Sequence, residues 1–200
     1  MKLHYAPTSP FVRKVMVLLH ETDLLDQVAL NQVVTSPFAP CADVQAQNPL
    51  AKIPALERED GGVLYDSRVI CDYLNMRAGA DLYNRGWDSK VLEALADGLM
   101  DAAVLATYEM RLRPEDQQSQ DWIKAQHGKV LAACTALNAQ WMPHLEGALD
   151  IGQIAVACGL GYVNFRHPTL DWRAGNPALA AWFEGFESRA SMQATRPPEG

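Results

Sequence analysis

The sequence contains no C-x-x-C pair; its four cysteines, Cys41, Cys71, Cys134 and Cys158, stand far apart. That spacing excludes a redox dithiol or a zinc knuckle, and because each lies in or beside an apolar run, free thiols are expected. No stretch approaches the roughly 20 consecutive apolar residues that cross a bilayer, so no membrane partner is expected. Met1-Lys2-Leu3-His4 leads straight into strand-like sequence without a signal h-region, and the expected location is cytoplasmic. Excess positive charge is missing too. A net charge of −7 and a pI near 5.2 disfavour nucleic acid and anionic membranes as partners. The histidines, His4, His20, His127, His144 and His167, show no spacing for a metal or a triad, so isolated roles and no metal are expected. There is no internal repeat, and only the tail from Thr195 to Gly200 reads as disordered.

What is present fills 200 residues, enough for one medium domain or two small ones, each with a core. Lys2-Leu3-His4-Tyr5 alternates as a strand, and Ser9-Pro10 opens a helix with Val12, Val15, Met16 and Leu19 on one stripe. Gln27 to Val33 reads as a second strand, so the opening is β-α-β with a parallel pair. A short helix is expected near Cys41 to Gln45. Beyond residue 84 the period is helical throughout. Leu92, Leu95, Ala96 and Leu99 begin a long helix reaching toward Arg111. Ile123 to Trp141 form another, stopped by Pro143. Asp150 and Gln153 suit a variant capping box ahead of a helix apolar on all sides, the expected axis of a second domain. Asn176-Pro177 caps a last helix.

The chain is organised around Asn48-Pro49-Leu50-Ala51-Lys52-Ile53-Pro54-Ala55-Leu56, which turns at Glu59-Asp60-Gly61-Gly62 and ends in Val63-Leu64-Tyr65-Asp66-Ser67. Pro54 lacks an N–H and should take the first position of a strand. A cis bond at Pro54 would point the N–H and C=O of Ile53 into a groove, where an extended peptide can pair with them as one more strand. Asp66-Ser67 opens a helix, and a helix N-terminus with a hydroxyl is a carboxylate site. Arg13, Lys14, Lys52 and Arg68 bring positive charge to this half of an acidic chain. Together these parts describe a groove for a short anionic peptide.

The motif from Asn48 to Leu56, followed by Asp66-Ser67, resembles the glutathione transferase family. The resemblance covers most of the chain and implies a thioredoxin-like βαβ-ββα domain at 1–78, a linker at 79–84 and an all-helical domain at 85–200. It implies a cis Pro54, the backbone of Ile53 on the cysteinyl part of glutathione, Asp66 and Ser67 on its γ-glutamyl end, and Lys52 on its glycyl carboxylate. The run Ser9-Pro10-Phe11-Val12-Arg13-Lys14-Val15 is similar to serine-type members and makes Ser9 the catalytic hydroxyl, with Thr8 and Tyr5 as rivals. Ser before Pro is also an ordinary helix cap. A cysteine at position 9, which would favour mixed-disulfide chemistry, is absent. Phe11, Tyr108 and Met110 are the expected wall of an electrophile pocket. The expectation is a homodimeric, cytoplasmic detoxifying transferase that joins glutathione to a small hydrophobic electrophile. A glutathione-dependent isomerase or dehalogenase, or a non-catalytic binding module on the same fold, is the alternative.

Overall fold

Alternating apolar residues in Lys2–Tyr5 build strand β1, and Ser9 ahead of Pro10 starts helix α1 (Pro10–Glu21). The structure is a computed structural model and describes residues 1–83 and 85–198. Asn84, the end of the expected linker, and Glu199-Gly200, the end of the expected disordered tail, lie outside the described residues. The chain divides into two compact units, Met1–Asn84 with Ala190–Gly200, and Arg85–Arg189.

In the first unit α1 is followed by β2 (Ala29–Gln32), α2 (Ala42–Gln47), β3 (Ala55–Glu57), β4 (Val63–Leu64) and α3 (Ser67–Ala78). The sheet order is β2-β1-β3-β4, with β1 parallel to β2 and the other pairs antiparallel. This is the thioredoxin-like βαβ-ββα arrangement. The register aligns Leu30, Leu3, Leu56 and Leu64 across the sheet. Leu3 and Leu56 are fully buried with Val15, Leu18 and Leu19 of α1 and Ile70 and Leu74 of α3. Each such side chain contributes roughly 1.5–3 kcal/mol by leaving water. The expected second strand is shorter than its sequence pattern, because Leu25–Gln27 forms a 3-10 turn.

The expected 85–200 domain loses its last helix, since α9 (Ala190–Ala194) packs against α1. Arg13 explains the attachment. It is buried, and its guanidinium donates to the Met192 carbonyl at 3.0 Å and the Thr195 hydroxyl at 3.4 Å. Arg13 is therefore a brace for the chain's end rather than a guide for an anion, and Thr195 is ordered rather than part of a loose tail.

The second unit is all helical: α4 (Trp87–Leu112), α5 (Gln120–Ala136), α6 (Met142–Leu145), α7 (Ile151–Arg166) and α8 (Pro177–Glu187). Every residue of α7 from Ile151 to Val163 is buried. Its capping box forms as the sequence suggests, with Asp150 Oδ1 accepting the Gln153 N–H at 3.0 Å and Gln153 Oε1 accepting the Asp150 N–H at 2.9 Å. Pro143 does not stop a helix outright. The chain passes through a π-helical segment, Leu137–Trp141, and Pro143 then sits in the first turn of α6, where its missing N–H removes no hydrogen bond. Asn176 precedes α8 but its side chain does not cap it; Nδ2 donates to the Trp172 carbonyl at 2.7 Å instead.

Candidate functional site

Strand direction gathers the expected site residues of the first unit. Because β3 runs antiparallel to β1, and β4 antiparallel to β3, the end of β1, the start of β3 and the end of β4 share one edge of the sheet. The loops leaving that edge carry Ser9, Lys52-Ile53-Pro54 and Asp66-Ser67. The Ile53–Pro54 bond is cis, as is Tyr65–Asp66. Ile53 lies outside the ladder, and neither its N–H nor its C=O enters a loop or cap hydrogen bond among the described residues.

The turn before Ile53 is held by two side chains to which the sequence reading assigned no role. Asn48 is buried; its Nδ2 donates to the Lys52 carbonyl at 3.0 Å and its Oδ1 accepts the Leu50 N–H at 3.1 Å. The Thr35 hydroxyl donates to the Ala51 carbonyl at 3.2 Å, at a residue with the left-handed φ of 53° that a side chain disfavours. An Asn two residues ahead of a loop N–H is a known turn former, a signal in the sequence that could have found it. The exposed Lys52 ammonium has no ion-pair partner among the described residues.

Ser9 is the N-cap of α1, and its Oγ accepts the Val12 N–H at 3.3 Å. A hydroxyl that accepts this bond still has its own hydrogen to donate. Tyr5, the rival, gives its hydroxyl to Gln32 at 3.4 Å. At α3 the cap is Asp66, not Ser67: Oδ1 accepts the Arg68 N–H at 3.0 Å and Oδ2 the Arg68 guanidinium at 3.1 Å. Burial acts to raise the Asp66 carboxyl, but the Arg68 hydrogen bonds and charge, with the charge of Lys14, outweigh it and hold the group below the usual carboxylate range. Ser67 is the first helical residue, 2 % exposed, and its hydroxyl bonds to no described residue.

In the second unit, Tyr108 and Met110 lie near the end of α4. Tyr108 is partly exposed, and burial of the rest pushes its phenol above its ordinary value. Phe11 belongs to the first unit. The histidines are less isolated than their spacing suggested, because His127 Nε2 and His167 Nδ1 meet at 3.1 Å. Among the described residues no group of His, Cys, Asp and Glu could hold a metal, and no helix is long and apolar enough to cross a membrane.

A sheet of this order, extended on one edge by helix starts and an unpaired backbone corner, defines a thioredoxin-like protein with an added helical unit. The family model of the glutathione S-transferase N-terminal domain matches residues 8–77, and that of the C-terminal domain matches residues 120–185. An uncharacterized GST-like protein, YibF, of Escherichia coli K12 is 34% identical over 209 aligned positions covering 100% of both chains. A glutathione transferase family member of Pseudomonas fluorescens Pf-5, solved with bound glutathione, is 46% identical with a TM-score of 0.93 over 98% of each chain. A second structure from that organism, with bound S-(propanoic acid)-glutathione, is 45% identical with a TM-score of 0.88, covering 99% of this chain and 100% of the other. This chain belongs to the glutathione S-transferase family.

Proposed function

We propose that this chain is a serine-type glutathione transferase that binds glutathione along the sheet edge of its first unit and joins it to a small hydrophobic electrophile. The observation that carries the reading is the unpaired backbone of Ile53, on the same sheet edge as the Ser9 and Ser67 hydroxyls. An extended tripeptide satisfies that N–H and C=O as an added strand. Ser67, at the positive end of α3, receives the γ-glutamyl carboxylate, while Asp66 meets its amine and Lys52 the glycyl carboxylate. Glutathione bound to the Pseudomonas fluorescens relative supports the choice of ligand.

The thiol then faces the start of α1, where Ser9 donates a hydrogen bond to the sulfur. A free thiol is mostly protonated near pH 7, and lowering its pKa by about two units supplies roughly 2.7 kcal/mol in favour of thiolate. With its proton released to solvent, the sulfur forms the new C–S bond as halide leaves a haloarene or haloalkane, or as the C=C π pair of an enone shifts to the carbonyl oxygen and is then protonated. Holding both reactants together contributes the rest of the rate. Phe11 of the first unit and Tyr108 and Met110 of the second are the side chains proposed to meet the electrophile, and the working form is a cytoplasmic homodimer serving detoxification.

A second reading, a glutathione-binding module without turnover, draws on the cap bond of Ser9, which a helix start needs in any case. Isomerase or dehalogenase chemistry shares the thiolate and differs only in the electrophile. Thermal-shift titration with glutathione, followed by a panel of chloroaromatic, enone and haloalkane electrophiles, separates these readings. A glutathione-dependent rise in melting temperature with turnover of at least one electrophile is expected. No shift at millimolar glutathione overturns every reading in which glutathione binds.

A further inference from the structure

Helices α4 and α7 lie side by side and run in the same direction, as four contacts along them show. Ser89 Oγ donates to Asp150 Oδ2 at 2.7 Å, Gly152 abuts Leu92, Gly159 abuts Leu99, and the Tyr162 hydroxyl donates to Thr107 Oγ1 at 3.2 Å. The partners advance together from the start of each helix to its end. One turn beyond Thr107 comes Arg111, and one turn beyond Tyr162 comes Arg166, so the two guanidinium groups leave neighbouring faces at the C-terminal ends of both helices.

Like charges at adjoining helix ends call for a counter-anion, yet neither arginine has an ion-pair partner among the described residues. The acid nearest in sequence, Glu109, is committed: Oε2 accepts Arg113 at 2.8 Å and Oε1 accepts the Ser119 N–H at 2.9 Å. Burial, and then the like charge of Arg111, push the Arg166 guanidinium below its ordinary value, while the Tyr162 hydroxyl beside it acts the other way. The carbonyl ends of the two helices offset part of that repulsion, but they do not supply a discrete anion. The surroundings are aromatic. The Arg166 guanidinium stacks 3.9 Å from the Phe165 ring centroid, Tyr108 lies on the same end of α4, and Tyr162 is 6 % exposed and held by Thr107.

We propose that the C-terminal ends of α4 and α7 form a binding site for a small aromatic carboxylate, its charge held by Arg111 and Arg166 and its ring lying against Phe165 and Tyr108. Guanidinium forks match a carboxylate in two parallel hydrogen bonds, and stacked arginine tolerates a flat apolar neighbour. The site lies wholly within the second unit and does not need glutathione, so it stands or falls apart from the transferase reading. Where both hold, the acid belongs to the electrophile or to the conjugate.

The test is isothermal titration of benzoate, and of neutral benzamide, into the full-length chain at low salt without glutathione. Benzoate is expected to bind at least tenfold more tightly than benzamide, a difference of about 1.4 kcal/mol. Arg111→Met and Arg166→Met should each remove that preference, and Arg166→Lys should restore part of it. Circular dichroism confirms that each variant folds; should Arg166→Met not fold, Arg111→Met decides alone. Equal affinity for benzoate and benzamide, or benzoate binding unchanged in a folded Arg111→Met variant, overturns the site. Glutathione titration of the same samples reads the other proposal independently.

Discussion

The Oγ of Ser9 accepts the Val12 N–H at 3.3 Å, so the residue proposed to meet the thiol also caps the start of α1. One substitution therefore disturbs two things. Ser9→Ala should lower turnover tenfold or more, about 1.4 kcal/mol in the barrier, and cost about 1 kcal/mol of stability. Ser9→Asp separates them, because a carboxylate caps well but donates nothing and repels a thiolate. Its melting temperature should return toward that of the wild type while its turnover stays low. Recovery of turnover in Ser9→Asp would remove the hydroxyl from the mechanism.

Gln153 satisfies more of the second unit than its place in the capping box suggests. Besides accepting the Asp150 N–H, its amide donates to the carbonyls of His144, Leu145 and Gly147 at 3.2, 2.9 and 3.2 Å. Gln153→Ala leaves several buried polar groups unpaired and should cost about 3 kcal/mol, read as a fall in urea midpoint with little change in slope. Gln153→Glu should cost as much, because it sets a second carboxylate beside Asp150 and loses the donors.

Helix approach sets opposite signs for two glycine substitutions. A Cβ on Gly152 would meet Leu92 Cδ2 at 2.8 Å, and Leu92 is fully buried. Gly152→Ala should destabilise by about 1–3 kcal/mol. Gly98, exposed on α4, has nothing within 4 Å of the corresponding position, and Gly98→Ala should stabilise by about 0.5–1 kcal/mol. Thermal melts of the two variants should move in opposite directions.

His127 and His167 predict a pH dependence. His167 Nε2 faces the Ala103 carbonyl at 2.9 Å and must donate to it, so Nδ1 accepts from His127 Nε2. Burial lowers both imidazoles below their ordinary value, and for His167 the charges of His127 and Arg166 add to it. Thr107 and the Tyr162 ring complete the surroundings. The folded state therefore resists protonation that the unfolded chain accepts. Their contribution is complete above about pH 6.5 and is lost as pH falls below it toward the folded values. Melting temperature should drop between about pH 7.5 and 5.5, and His167→Gln should flatten that slope. An unchanged slope in His167→Gln would assign the acid sensitivity to other groups.

Local order was legible in the chain wherever a side chain acts on its own neighbourhood. Ser9-Pro10 starts α1, Asp150 and Gln153 cap α7, and the alternation in Lys2–Tyr5 makes β1, because caps and periods involve residues a few positions apart. The motif from Asn48 to Leu56 likewise announced the family and the sheet edge. Tertiary packing decided the rest. Arg13 looked like free positive charge until α9 folded back over it, and Asn176 looked like a cap until Trp172 offered a carbonyl. His127 met His167, and Arg111 came beside Arg166, only because α4, α5 and α7 pack in one unit. Contacts between residues distant along the chain depend on helix direction and register, which no local pattern encodes.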